Sequence, residues 1–111
     1  MAFAGQDFPD TNIGEAPDFA FNWATAPWFA PSETILTAVF TCALVSGSDP
    51  SPNSHIVGPA GISNFVTTQK VDFTDPNATQ SGNVYRLQCT ITTSLGQTLV
   101  LYAHTNVLAP S

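Results

Sequence analysis

A period of two runs through the last third of the chain. In residues 83–107, Tyr85, Leu87, Cys89 and Ile91 alternate with Arg86, Gln88, Thr90 and Thr92, the pattern of a strand with one face in a core. Ser94-Leu95-Gly96 follows, a short loop whose glycine can take positive φ, so the pattern predicts a β-hairpin. The returning strand departs from alternation. Leu99-Val100-Leu101-Tyr102-Ala103 is apolar throughout, which predicts cover on both faces, by the core on one and by an arm or a neighbouring copy on the other.

The same reading makes residues 33–45 a core strand, with Leu36, Ala38, Phe40, Cys42 and Leu44 inward and Ile35, Thr37, Val39, Thr41 and Ala43 on a half-polar face. Residues 46–61 are dense in Gly, Pro, Ser, Asn and Asp and predict a long loop, with a short strand at 55–57. Residues 62–73 predict one or two short strands anchored by Val66, Val71 and Phe73, and 74–82 another turn. A first strand is expected at 18–23. Short strands, turn clusters and no helical period together predict an all-β fold, an immunoglobulin-like antiparallel β-sandwich over residues 18–111.

Ahead of it lies a different kind of segment. Seven of the twelve aromatic residues (Phe3, Phe8, Phe19, Phe21, Trp23, Trp28 and Phe29) fall in the first 31 positions, with Pro9, Pro17, Pro27 and Pro31 and no lysine or arginine. Proline removes backbone donors and biases its predecessor towards extended geometry, so residues 1–17 are expected to form an extended N-terminal arm. Rings of this size hide roughly 150–250 Å² each, so the arm is expected to order on a partner surface. Phe3, Phe8, Trp23, Trp28 and Phe29, with Val100 and Tyr102 on the apolar strand, are the candidate protein-interface residues.

Charge narrows the function classes. Lys70 and Arg86 are the only basic side chains against eight acidic ones, for a net charge of −6, which argues against direct nucleic-acid binding. Of the acids, Asp7, Asp10, Glu15, Asp18 and Glu33 precede residue 34, so the arm would suit a basic host, or they simply keep an apolar strip soluble. Residues 1–10 carry no secretory pattern and residues 35–45 are too short to span a bilayer, so no membrane association is expected and synthesis is expected in a cytoplasm.

Candidate chemistry is sparse. Cys42 and Cys89 lack the companion Cys or His spacing of a zinc site, and without an export signal they are expected reduced and buried, a disulfide remaining a matter of geometry. Cys89 with His104 or His55 could pair nucleophile with base, but its alternation with core residues favours an inert thiol. Asp49, read as an exposed loop tip, is a poor cation site on its own. Trp23 and Trp28 beside Asn22 and Thr25 could stack on sugars. The expectation is therefore a non-enzyme with no cofactor and no metal.

Four stretches together carry a resemblance: FAFNW, SETILTAVFTC, the glycine loop ending PAGI, and GNVYRLQCTITTSLGQT. Over roughly residues 18–107 they resemble small immunoglobulin-like proteins encoded among the virion structural genes of tailed bacteriophages. The most specific piece is Gly82-x-x-Tyr85-x-Leu87-x-Cys89-Thr90-Ile91-Thr92-Thr93-x-x-Gly96. The resemblance implies a virion component, first a capsid decoration or cement protein docked on the major capsid protein among neighbouring copies at the capsid surface. The alternatives are a head–tail junction or tail/fibre protein, or a glycan-binding adhesion module. In such relatives the hairpin glycine is commonly followed by arginine and further charges. Gln97 and an apolar 99–103 stand here instead.

Overall fold

The computed structural model describes residues 2–3, 8, 11–12, 15–24, 31–49, 51–74 and 82–108, with the backbone alone at 2, 3, 12 and 108. Its strands are β1 (Ala2–Phe3), β2 (Thr11–Asn12), β3 (Asp18–Asn22), β4 (Ile35–Ser46), β5 (Ile56–Ser63), β6 (Val66–Val71), β7 (Val84–Thr93) and β8 (Thr98–Leu108). They form two sheets. The long sheet runs β4, β7, β8, with β1 and β2 both pairing parallel to β8, and the short sheet is β3, β6, β5, antiparallel throughout. The chain is an all-β sandwich.

The hairpin forms where the alternation places it. Tyr85, Leu87, Cys89 and Ile91 are all fully buried, and Gly96 turns the chain at φ 83°. A carboxylate braces the tip: fully buried Glu33 accepts from Thr93 Oγ1 and, at 2.9 and 2.8 Å, from Gln97 Nε2. Glu33 is thus a structural group inside the fold and not one of the charges that keep the N-terminal stretch soluble.

In β4, Phe40 and Cys42 face the core as expected, but Leu36 is 60% exposed while Ile35 is buried. A register shift between Ile35 and Thr37 explains the exchange, because one inserted residue reverses which side chains point inward. The expected long loop is shorter than its composition suggests. After a 3-10 turn at Pro52–His55, β5 extends through Gly58, Pro59 and Gly61. A register shift between Val57 and Gly61 accommodates them, and Gln69 Nε2 donates to the carbonyls of Val57 and Gly58 at 2.8 and 3.1 Å. In β6 the buried side chains are Thr67, Gln69 and Val71, while Val66 is only half-buried. Two polar residues therefore take inward positions, each with a buried or bulged partner to satisfy.

The core has two adjoining clusters. One gathers Phe21, Trp23, Ile35, Phe40, Cys89 and Ile91 with Leu101 and Ala103; the other gathers Phe19, Cys42, Val71, Phe73, Tyr85, Leu87 and Val107. Phe21 of the short sheet stacks on Phe40 of the long one, centroids 5.8 Å apart, an aromatic bridge worth roughly 0.5–1.5 kcal/mol beyond its buried area. No disulfide plays that part. Cys42 lies opposite Leu87 and Cys89 opposite Phe40, so the thiols are diagonal neighbours in one sheet. Diagonal positions sit about 7–8 Å apart, too far for the Cβ separation of about 3.8 Å in a disulfide, and both cysteines are free.

Candidate functional site

Of the seven candidate interface residues, Trp23 is corrected outright. It is fully buried and its Nε1 donates to Thr67 Oγ1 at 3.0 Å, so the ring anchors the chain's own core and offers no face to a partner or a sugar. Phe8 also turns inward. Its amide donates to the His104 carbonyl at 3.0 Å, and its ring meets Phe19 at 4.6 Å and Phe21 at 5.3 Å. With Ile56, it packs against both core clusters. Phe3 pairs through its backbone with Tyr102. Trp28 and Phe29 lie outside the described residues.

The N-terminal segment, expected to extend as an arm over residues 1–17, is described at 2–3, 8, 11–12 and 15–17. At 2–3, 8 and 11–12 the N-terminal segment lies along β8 of its own domain. Between the paired positions Phe3 and Thr11 there are more residues than between their partners Tyr102 and Val107. The excess lets Phe8 drop into the gap between the sheets. At its paired positions the segment covers the edge of β8 in the plane of the sheet.

That outer face is the candidate functional surface. Register sets three rows across the long sheet: Val39, Thr90 and Val100; Thr41, Gln88 and Tyr102; Ala43, Arg86 and His104. These positions alternate with the core residues, so their side chains stand on the side away from the core. Val100 and Tyr102 are half-buried and Val39 is 60% exposed. Arg86 Cζ lies 5.3 Å from the Tyr102 ring centre, a cation–π contact, and the Tyr102 and His104 rings are 5.7 Å apart. Same-sheet neighbours contribute to the partial cover of the apolar strand.

A buried polar network, which pattern reading missed, lies in the second cluster. Asp49 is no exposed loop tip. Its Oδ2 accepts from Tyr85 OH at 2.6 Å and lies 2.7 Å from His55 Nε2, while Oδ1 accepts from the Ser51 amide at 2.9 Å. His55 Nδ1 is 2.7 Å from the Asp72 carbonyl. A carbonyl and a carboxylate both accept, so each ring nitrogen bonds its partner through a proton of its own, and with both in place the Asp49 contact is an ion pair. Asn83 Nδ2 donates to Tyr85 OH at 3.0 Å. Burial would raise Asp49, yet the bonds from Tyr85, His55 and Ser51 hold it below the ordinary carboxylate value. Burial, then the bond to Asp49, pushes the Tyr85 hydroxyl up.

The network holds no nucleophile. Burial drives Cys42 up to about 12, with the Asp49 charge adding to it, and burial drives Cys89 up to about 11, so both stay thiols at neutral pH. Cys89 Sγ sits 3.5 Å from Thr67 Oγ1 in the first cluster, whereas His55 contacts Phe73 and Tyr85 in the second and His104 stands on the outer face. The pairing of Cys89 with either histidine is not assembled. Among the described residues no group of three or more His, Cys, Asp or Glu side chains is placed to hold a metal.

No family model, curated protein or solved structure matches this chain.

Proposed function

We propose that the chain is a non-enzymatic structural protein of a bacteriophage virion, an immunoglobulin-like decoration or cement protein that docks on the major capsid protein through the outer face of its long sheet. The strand order supports the immunoglobulin-like part. β4, β7 and β8 with a parallel N-terminal segment oppose β3, β6 and β5, the Greek-key division of strands in that fold.

The observation that carries the docking reading is the neutrality of that outer face. In a chain of net charge −6, rows of Thr, Val, Gln, Ala and Tyr cross the long sheet with no acidic member and with Arg86 and His104 as their only basic ones. A face of few charges that includes an aromatic–arginine pair has the composition of an interface core. Its partner would be uncharged or acidic opposite Arg86. A junction or tail position in the particle would use the same face.

Quantitative protein analysis of purified particles tests the reading. A decoration protein approaches the copy number of the major shell subunit. A few copies per particle would move it to a junction or tail, and absence from particles would end the proposal. A glycan platform on Trp23 finds no support, since that ring is wholly enclosed.

A further inference from the structure

Three of the sandwich's strand edges are guarded. The β8 edge is closed by β1 and β2. The β3 edge is five residues long and begins at exposed Asp18. The β5 edge is broken by Gly58, Pro59 and Gly61 at a register shift. These are the usual devices against uncontrolled pairing. β4 differs. It is twelve residues long, contains no charge and no proline, and among the described residues pairs on one side only, with β7.

The open part of this edge can be located. The Cys42 amide donates to Asn53 Oδ1 at 3.0 Å, so it points away from β7 and is capped. Backbone groups alternate along an antiparallel strand, and no register shift interrupts 37–44. The N–H and C=O of Ala38 and Phe40 therefore point outward as well, beside a cleft of about 400 Å³ whose other wall includes Pro59, Ala60 and Ile62 of β5. Asn53 stops the open edge at Thr41, and the shift after Ile35 stops it at Thr37.

We infer that this edge pairs with the same edge of a second copy, residues 37–41 running antiparallel about a two-fold axis at Val39. In that register Ala38 and Phe40 of each copy bond Phe40 and Ala38 of the other. All four open backbone groups on each side are satisfied by the same short segment. Val39 faces its own mate at the axis. The segment is self-complementary in charge as well, because it has none, while the chain's net charge of −6 penalises most other contacts between copies. A two-fold pairing also closes on itself, so it consumes the exposed edge without propagating. The inference stands apart from the virion reading and holds or fails without it.

Sedimentation of the full chain from low micromolar to hundreds of micromolar concentration tests it. A monomer–dimer equilibrium is expected. Val39→Lys sets like charges directly opposite each other and should weaken the dimer about tenfold or more, with the β-sheet circular dichroism retained because Val39 is 60% exposed. Val39→Cys supplies an independent readout. Facing residues of a pair not bonded to each other have Cα atoms about 4.5 Å apart, within disulfide range, so mild oxidation should link two chains rapidly. Leu95→Cys, 63% exposed on the hairpin loop, should link only at the collisional rate. A wild-type monomer throughout the range, a Val39→Lys variant that dimerises normally, or Val39→Cys linking no faster than Leu95→Cys overturns the inference.

Discussion

Asp49 is the residue on which most of the internal polar chemistry converges. Tyr85, His55 and Ser51 all bond it. Removing one member of a buried charge pair leaves the other without compensation, at a cost of about 3–5 kcal/mol. Asp49→Asn should therefore lose about 3 kcal/mol in urea unfolding at pH 7. The pH dependence follows from the direction of its shift. Asp49 is held below its ordinary value of 3.8 in the fold, so its contribution is complete above the unfolded-state value and disappears as pH falls through the folded one. The stability gap between wild type and Asp49→Asn should narrow on acidification below about pH 4. A gap that stays constant down to the acid transition would show that the Asp49 carboxylate does not supply this stability.

Elements depend on a few residues that close gaps between them. Phe8 enters the space between the sheets from a segment whose regular pairing at either side is only two residues long. Phe8→Ala should cost about 2 kcal/mol, below the 3–5 typical of a fully buried ring because Phe8 is partly exposed, and it should speed proteolysis of the N-terminal segment. If thermal stability is unchanged, the ring does not pack on its own domain. Glu33 acts similarly at the other end, joining the chain two residues before β4 to the β7–β8 turn through Thr93 and Gln97. Glu33→Ala leaves buried Thr93 and half-buried Gln97 without that acceptor, and a loss of about 2 kcal/mol in denaturant unfolding is expected.

For the molecule as a whole, the two faces of β8 should separate folding from assembly. Leu101 is buried in the first core cluster, so Leu101→Lys should abolish folding, as an uncompensated charge in a packed core does. Val100 stands on the outer face beside Thr90. Val100→Lys should leave the melting temperature within a few degrees and reduce incorporation into particles. Full incorporation of Val100→Lys would move the docking surface off this face.

Where one face of a strand is buried over an unbroken run, local order and tertiary position coincide. That is why Tyr85, Leu87, Cys89 and Ile91 could be assigned to the core from their spacing, and the hairpin from Ser94-Leu95-Gly96. The first strand, expected at 18–23, forms at Asp18–Asn22, and the β-sandwich class was legible in the succession of short strands and turns. Other features depended on groups distant in the chain. The exchange of Leu36 for Ile35 arises from a register shift against Thr92 and Thr93, which no alternation within β4 encodes. Thr67 and Gln69 are inward because Trp23 and the β5 bulge supply their bonds, across separations of 44 and 12 residues. Asp49 looked like an exposed turn acid because composition reports the solvation of a loop and not what folds over it; Tyr85 reaches it from 36 positions away. The aromatic N-terminal stretch was legible as a segment that must bury its rings. Its destination was decided by the free edge of β8, a surface that exists only once the long sheet has formed.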